Sequence, residues 1–432
     1  MLDFLNNIIV ATIIKSAIII FALLTVFAYM TLIERVVLAR IQGRIGPNRA
    51  GPLGILQPVA DGIKMAFKEQ IVPTQAKKAV YLIAPIISVV VAISAFAVVP
   101  LGNNWINGKP SVWDPVIGDV NIGILWILSI SSLAVYGIVL GGWASGNRYS
   151  LLGSLRSAAQ MVSYETSLGL ALSGTLMWAG TLSMVGIVHA QLPFSTTNPT
   201  GQGIWFIAAQ PLGFVIYIIA AIAEVNRAPF DLPEAEQELT AGYLTEYSGL
   251  RWSLYQMAEY INMITVSAVA STLFLGGWGF FGFGLERIPG VSIIIFIVKM
   301  ALFLFLFIWL RATLPRIRYD RLMHLGWQTL LPLAVLNVVI TAIVVAFHLP
   351  WWVNGIVGLA IVIGLLVSIQ RSSVSEGTRF TNTTLDKHDG NGTTKAVLPT
   401  SVRLAKLEKL PAPVVVDAVP TVEAPQTEVA KA

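Results

Sequence analysis

The sequence has 432 residues, of which 55% are hydrophobic and only 12% are charged, and its net charge is +5. Soluble domains carry about 25% charged residues, so this composition excludes an ordinary soluble protein. It predicts an all-α polytopic membrane protein.

The chain contains no cysteine and four histidines, His189, His324, His348 and His388. Iron–sulfur clusters are held mainly by cysteine thiolates, which this chain lacks. A membrane haem generally needs two facing histidines, and only His348 falls in a predicted span. We therefore predict that this chain binds no metal and carries no electrons itself.

Nine apolar runs approach the roughly 20 residues that are needed to cross a bilayer. They cover residues 8–33, 80–100, 122–144, 166–188, 204–223, 260–283, 292–312, 328–349 and 351–370. The first run has neither a basic leader nor an obvious cleavage site, so we interpret it as a retained helix and not as a signal peptide.

The distribution of lysine and arginine predicts the orientation, because cytoplasmic loops hold the excess of bases. The connections 34–79, 145–165, 224–259 and 311–327 hold 8, 2, 2 and 4 bases, and the alternate connections hold 2 in all. The N-terminus is therefore predicted outside, and the C-terminus is predicted in the cytoplasm.

The first cytoplasmic connection contains GRIGPNRAGPLG, whose glycines and prolines exclude a regular helix. From Pro58 the pattern becomes amphipathic and predicts a helix in the membrane interface. One face is apolar and the other is charged, with Val59, Ile63 and Phe67 against Asp61, Lys64 and Lys68. This helix is either a surface anchor or the wall of a lipid-accessible cavity.

The next cytoplasmic connection, residues 145–165, is predicted to bring Glu165 to the start of the fourth span. An acid at that position is commonly just solvated. The small side chains in the same stretch would let helices approach closely; they include Ser154, Ser157, Ala158 and Ala159.

The connection 224–259 is unusually acidic, with two bases against seven acids, Glu224, Asp231, Glu234, Glu236, Glu238, Glu246 and Glu259. Asp231 and Glu234 have the spacing of a helix N-cap with its capping-box acid. Capping leaves most of the acids unexplained. Such a cluster binds cations, meets a basic partner or shares protons, because crowded carboxylates that lose water cannot all ionise.

Two of these acids adjoin predicted spans, since Glu224 closes the fifth and Glu259 heads the sixth. Ionisable groups at membrane depth are commonly functional. Lys299, within the seventh span, is a candidate counter-charge whose partner the sequence does not specify.

Three further features have simpler interpretations. The motif GGWGFFG formally matches a dinucleotide-binding fingerprint, but no strand precedes it. The arginines at the end of the seventh span indicate that this end of the helix lies in the cytoplasm. A secondary role is binding to an acidic soluble partner. These arginines are Arg311, Arg316, Arg318 and Arg321. Residues 371–432 have almost no aromatic side chains and are predicted to form a disordered tail or a partner-binding strap.

Four stretches resemble the H-subunit family of the proton-pumping NADH:quinone oxidoreductase, respiratory complex I, whose mitochondrial counterpart is NADH dehydrogenase subunit one. They are ERVVLARIQGRIGPNRAGPLGILQPVADGIKMAFKE, SLRSAAQMVSYE, EVNRAPFDLPEAEQELTAGYLTEYSGLRWSLYQMAEYINM and LRATLPRIRYDRLMHLGW. With the helices between them, these stretches extend over residues 1–347.

The resemblance implies an eight-helix core, here followed by a ninth transmembrane helix and a disordered C-terminal tail. It implies a non-redox subunit that forms much of a quinone-access cavity and couples quinone reduction to proton translocation through carboxylates. The expected residues on the quinone path are Glu34, Arg35, Asp61, Lys64 and Arg227. Those of the proton pathway are Glu165, Glu224, Glu234, Glu236, Glu238, Glu246 and Glu259.

The same resemblance implies that FMN and iron–sulfur clusters belong to partner subunits, and that quinone is a substrate. The expected partners are the soluble iron–sulfur and quinone-site subunits, the small and antiporter-like membrane subunits, and the lipid bilayer, with no nucleic acid. We expect a bacterial inner (cytoplasmic) membrane, and no activity from the isolated chain. Nothing in the sequence distinguishes ubiquinone from menaquinone.

Two other functions stay open at this point. A stand-alone secondary transporter would explain the intramembrane charges, although transporters commonly show internal repeats and none is seen here. A purely structural anchor for a soluble arm is the second alternative. The predicted organisation is a core over residues 1–349, an extra span over 350–370 and a tail over 371–432.

Overall fold

The computed structural model describes residues 8–102, 115–193, 203–231, 241–280 and 290–382, and all the regular structure in these ranges is helical. Seven helices are long and apolar enough to cross a membrane, and a bent pair makes an eighth candidate. This confirms the predicted all-α polytopic membrane fold. The chain divides into two compact units, residues 1–363 and 364–432.

The helices of the first half are α1 (Ile8–Ile41), α2 (Gln57–Phe67), α3 (Lys78–Phe96), α4 (Gly123–Ala144), α5 (Arg148–Ala179) and α6 (Met184–Gln191). Those of the second half are α7 (Phe206–Ala209), α8 (Pro211–Glu224), α9 (Gly249–Phe274), α10 (Val291–Thr313), α11 (Tyr319–His324), α12 (Leu331–Ala346) and α13 (Trp351–Asn382). A π-helical turn over Leu325–Leu330 joins α11 to α12.

Helix α1 continues beyond the predicted end of the first span, to Ile41. Glu34 and Arg35 therefore lie inside the helix and not at its end, which corrects the expectation from hydropathy. The helix stops where Gly43 adopts a left-handed conformation, with a φ of 69°. Glycine takes this conformation without steric penalty and commonly ends helices.

Helix α5 replaces the predicted loop over residues 145–165. The Asn147 side chain caps its first turn by accepting a hydrogen bond from the Tyr149 backbone N–H at 3.0 Å. Glu165 consequently lies in the middle of a helix and not at its start. Hydropathy missed this half of α5 because its buried polar side chains face other helices and not lipid; they include Ser150, Ser154, Ser157 and Gln160.

The end of the predicted fourth span is a separate helix. After α5 stops at Gly180, the chain bends by 59° and continues as α6. The predicted fifth span is also divided, because α7 ends at Ala209 and Pro211 starts α8. Helix α8 has 14 residues, fewer than a full crossing needs.

Helix α9 begins at Gly249, eleven residues before the predicted start of the sixth span at residue 260, and ends at Phe274. Glu259 therefore lies in the interior of a helix, where only 9% of its surface is exposed. The prediction that it heads a span is wrong. A polar first third of α9 is tolerated because it packs against other helices.

Helix α13 confirms an additional apolar helix after the eighth predicted span, and it extends past residue 370 to Asn382. The Asn354 amide donates a hydrogen bond to the Ala209 carbonyl at 2.7 Å, beside the break between α7 and α8. This helix thereby satisfies a carbonyl that the broken span exposes. Residues 383–432, with most of the predicted tail, lie outside the described residues, and the predicted division into three parts stays a prediction.

Candidate functional site

Four charged side chains from distant parts of the chain form a charge cluster in which three members are buried and Arg311 is partly exposed: Glu34, Arg227, Glu259 and Arg311. One terminal nitrogen of Arg227 lies 3.5 Å from Glu34 Oε1, and the other lies 3.9 Å from Glu259 Oε2. Arg311 forms a second ion pair with Glu34. Arg227 thus bridges a residue of the implied quinone path and a residue of the implied proton pathway.

The position of Arg227 depends on the turn that follows α8. The Gln160 side chain, which is fully buried on α5, donates hydrogen bonds to the carbonyls of Ala223 and Phe230, both at 2.8 Å. These two bonds hold both ends of the turn. The other cluster members lie on α1, α9 and α10, so the turn determines whether the cluster forms.

Arg227 remains a cation although only 5% of its surface is exposed. Burial lowers the pKa of Arg227, but Glu259, Tyr260 and Glu34 raise it, and the resulting pKa is above the ordinary value for arginine. The guanidinium also lies 4.0 Å from the centre of the Tyr260 ring, which is a cation–π contact. Its Nε and Nη2 have no hydrogen-bond acceptor in the described part of the chain.

A second charged group lies near the surface, where α1 meets α2. The Arg35 guanidinium contacts the Asp61 carboxylate at 2.6 Å, and Lys64 lies 3.6 Å from the same carboxylate. The Gln57 amide donates to it as well, at 3.2 Å. Glu34 and its neighbour Arg35 therefore point to different partners, one buried and one at the surface.

Helix α2 leaves its apolar residues uncovered in this chain. None of its residues is buried, and more than half the surface of Val59, Ile63 and Phe67 is exposed. This agrees with the predicted amphipathic helix. The Asp61 group lies on its charged face beside α1.

Two adjoining cavities lie among α3, α4, α5, α8 and α9. We define the Ser131 cavity by Ser131, Glu224, Asn262 and Thr265 among its lining residues. We define the Glu259 cavity by Glu259, Asn226, Tyr255, Glu224 and Asn262. Both are lined by Glu224 and Asn262, and Glu259 lines only the second. We call the two adjoining cavities together the route.

Glu165 lies beside this route. Its carboxylate accepts hydrogen bonds from the hydroxyls of Ser132 and of Ser131, the latter at 3.4 Å. Ser131 also lines the cavity that contains Glu224. The Ser131 hydroxyl on α4 therefore lies between the carboxylate of Glu165, on α5, and that of Glu224, on α8.

Among the remaining predicted acids, Glu246 does not join this group. It accepts a hydrogen bond from the Asn147 amide at 2.8 Å, at the start of α5, and lines neither cavity. Glu234, Glu236 and Glu238 lie outside the described residues. Asp231 is buried and its carbonyl accepts a hydrogen bond from Arg316, but the helix it was predicted to cap is also outside these residues.

Lys299 is held by backbone carbonyls at the end of α9. Its Nζ lies 2.5 Å from the Leu275 oxygen, 2.9 Å from that of Gly277 and 2.5 Å from that of Gly279. It also lies 4.6 Å from the centre of the Trp205 ring. Lys299, which was predicted as a counter-charge for an acid, thus lies against the partial negative charge of carbonyl groups just past a helix C-terminus.

Sequence reasoning missed several side chains of the site. Arg311 was interpreted as a cytoplasmic end signal, but it also pairs with Glu34. Ser131, Ser132 and Asn262 gave no signal, because serine and asparagine are common in packed membrane helices. The one available signal was spacing, since Glu259, Asn262 and Thr265 recur every three residues on one face of α9.

Comparison with known proteins identifies the family. The family model for NADH dehydrogenase matches residues 14–342, more than half of the chain. The chain belongs to this NADH dehydrogenase family. The H subunit of NADH-quinone oxidoreductase from Deinococcus radiodurans is 51% identical over 348 residues, which cover 80% of this chain and 85% of the relative.

Two more relatives of the family show the same extent of similarity. The H subunit from Thermomicrobium roseum is 52% identical over 323 residues, covering 74% of this chain and 92% of the relative. NADH-quinone oxidoreductase subunit 8 of Thermus thermophilus is 50% identical, covering 78% and 87%. The resemblance to the H-subunit family is thereby confirmed, and every described site residue lies in the part that the family model matches.

Proposed function

We propose that this chain is the membrane subunit of a proton-translocating NADH:quinone oxidoreductase that forms much of the quinone-access cavity. In this proposal, it couples quinone reduction to proton translocation through its carboxylates. The chain itself supplies no redox centre and has no activity alone. Quinone is the substrate, and FMN and iron–sulfur clusters belong to partner subunits of the hydrophilic arm.

One observation carries this proposal: Arg227 contacts both Glu34 and Glu259 in a buried environment. Charges interact strongly where water is excluded, so a change of charge near Glu34 alters the energy of a proton on Glu259. Glu259 and Glu224 line the Glu259 cavity together, Glu224 also lines the Ser131 cavity, and Glu165 accepts a hydrogen bond from Ser131. This supports electrostatic coupling between a quinone path and a proton route.

The location and neighbours are part of the same proposal. The multi-pass fold, with its bases concentrated in one set of connections, supports a bacterial cytoplasmic membrane with the N-terminus outside and the C-terminal tail inside. The small and antiporter-like membrane subunits would receive the proton route. The soluble iron–sulfur and quinone-site subunits would lie over Arg35, Asp61 and Lys64.

Neutralising the route should separate electron transfer from pumping. We expect Glu224→Gln and Glu259→Gln to reduce proton translocation by the assembled complex several-fold in inverted membrane vesicles. NADH:quinone reductase activity is measured in parallel with the acidification of the vesicle lumen. Asp119→Asn is the control, because that carboxylate accepts from Ser183 at 2.6 Å and lies on neither cavity.

The same assay decides between the proposal and its rivals. If both Gln variants assemble and pump normally, the chain is a structural anchor and the carboxylate route is wrong. If the purified chain alone catalyses ion flux in liposomes, it is a transporter and not a coupling subunit.

The quinone path has its own test at the surface group. We expect Asp61→Asn to lower quinone reductase activity several-fold while the complex still assembles, because Arg35 and Lys64 lose the carboxylate that positions them. The stability change should stay below about 1 kcal/mol, since the pair is partly exposed. Rates are measured across quinone concentrations, with Lys68→Gln as the control. Rates equal to those of the unmodified complex would remove Asp61 from the quinone path.

A further inference from the structure

The two cavities meet at one polar side chain that is not a carboxylate. Their shared lining residues are Ala134, Met161, Glu224, Val225 and Asn262. Only Glu224 and Asn262 in this set have polar side chains. Passage between Glu259 in one cavity and Ser131 in the other therefore leads past Glu224 and Asn262.

The helix geometry places Asn262 in line with the acid that precedes it. Glu259, Asn262 and Thr265 are three residues apart along α9, so all three lie near one face of that helix. Each lines at least one of the cavities. Asn262 lies in the middle of this polar face and borders both cavities.

Two of the hydroxyls that line the cavities are engaged by their own helices. Thr265 donates its hydroxyl hydrogen to the Ile261 carbonyl at 2.9 Å, and Ser88 donates to the Ala84 carbonyl at 3.4 Å. Each therefore has no proton left to donate to a water molecule in that arrangement. The Asn262 amide is the neutral polar group at the junction that offers both two donor hydrogens and an acceptor oxygen.

This chemistry suits a group that orders water without holding a proton. A polar cavity retains water where several protein groups hydrogen-bond to it, and water between two polar groups serves almost as well as a direct hydrogen bond. An amide does not titrate near neutral pH, so it does not trap the proton that it helps to guide. A third carboxylate at this position would do so.

We propose that Asn262 is a positioning residue that orders the water through which protons pass between Glu259 and Glu224. This inference rests on the proposed function, because it assumes that these two carboxylates exchange protons. It adds a residue that acts through water and not by carrying charge.

A packing role and a hydration role make different predictions for two substitutions. Asn262→Leu and Asn262→Gln both enlarge the side chain, but leucine makes the junction apolar and glutamine keeps the amide that donates and accepts. If packing were the role of Asn262, the two variants would be impaired to a similar degree, because an enlarged side chain strains a packed site whatever its polarity.

The experiment uses the assembled complex in inverted membrane vesicles, with the amount of assembled complex measured for each variant. We expect Asn262→Leu to lower coupled turnover by about tenfold or more, less than the roughly 10²–10⁴-fold contribution of a group that itself transfers the proton, because both carboxylates remain. Asn262→Gln, which keeps the amide, should keep more than half of the turnover and an unchanged ratio of protons to electrons. The matched control is Ser267→Ala, a buried position on α9 whose hydroxyl donates to the Met263 carbonyl at 2.7 Å.

Two outcomes would overturn the inference. One is a leucine variant that turns over as fast as the glutamine variant or faster. The other is a glutamine variant that assembles but retains less than a tenth of the turnover, which decides the question even if the leucine variant does not assemble. If Glu224→Gln and Glu259→Gln impair pumping while Asn262→Leu does not, only this inference fails. If all three are neutral, the proposed function fails with it.

Discussion

Replacing Arg227 with Met should destabilise the assembled complex by about 3–5 kcal/mol and remove most of its quinone reductase activity. The substitution leaves the buried carboxylate of Glu259 without the guanidinium that lies 3.9 Å away. Glu34 keeps its ion pair with Arg311. Removing one member of a buried ion group destabilises a protein far more than replacing the whole group with apolar residues, because the remaining charge is buried away from water.

Thermal unfolding of the purified complex, followed together with quinone reductase activity, tests this expectation. Arg35→Met is the matched control for stability, because its ion pair with Asp61 is shorter, at 2.6 Å, but half of the Arg35 side chain is exposed. That variant should lose less than about 1 kcal/mol. Equal losses for the two variants would mean that burial does not determine the strength of these ion pairs.

A double variant separates the loss of charge balance from the loss of shape. Combining Arg227→Met with Glu259→Gln also removes the buried negative charge that faced the guanidinium and should recover much of the stability. It should not recover pumping, because Glu259 is then absent from the proton route. A double variant no more stable than Arg227→Met alone would assign the damage to the turn after α8 and not to charge.

Gly153→Leu should prevent the complex from assembling. A Cβ atom on Gly153 would lie 2.5 Å from the Gly242 Cα and 3.2 Å from the Tyr243 nitrogen. These are backbone atoms, so no side chain can rotate away to make room. The helix α5 would have to separate from the turn over residues 242–244, which carries Tyr243 at the edge of the Glu259 cavity.

Gly169→Leu is the control on the same helix. Nothing lies within 4 Å of the position that its Cβ would take, and leucine favours a helix over glycine by roughly 0.5–1 kcal/mol. We expect this variant to assemble normally, as judged by the amount of intact complex in solubilised membranes. Normal assembly of Gly153→Leu would show that α5 does not need this close backbone contact.

The helical class could be predicted because hydropathy reports contact with lipid. The number of spans was predicted less well: nine were expected, and the described residues contain seven helices long and apolar enough to cross, or eight with the bent pair. The boundaries could not be predicted, because part of each helix faces protein. The first half of α5 and the start of α9 are polar in sequence, yet both pack inside the bundle. A hydropathy window therefore places Glu165 and Glu259 at helix ends, although each lies within a helix.

The site was predictable as a set of acids but not as a set of contacts. Composition and resemblance identified Glu34, Glu224 and Glu259, whose surroundings the structure describes. Their partners depend on how four distant segments meet, and no local pattern encodes the approach of Arg311 to Glu34. Asn262 illustrates the same limit, because its importance follows from two cavities that only the folded chain creates.

The carbonyl groups around Lys299 bear on how the chain enters the bilayer. A lysine at the centre of a membrane helix makes its insertion less favourable by about 2.5–3.5 kcal/mol. The remainder of helix α10 is strongly apolar up to its last turn. The oxygens of Leu275, Gly277 and Gly279 belong to the segment directly before it. We therefore expect α9 and α10 to enter the bilayer most favourably together, as a helical hairpin in which these carbonyl groups already surround the Lys299 ammonium group.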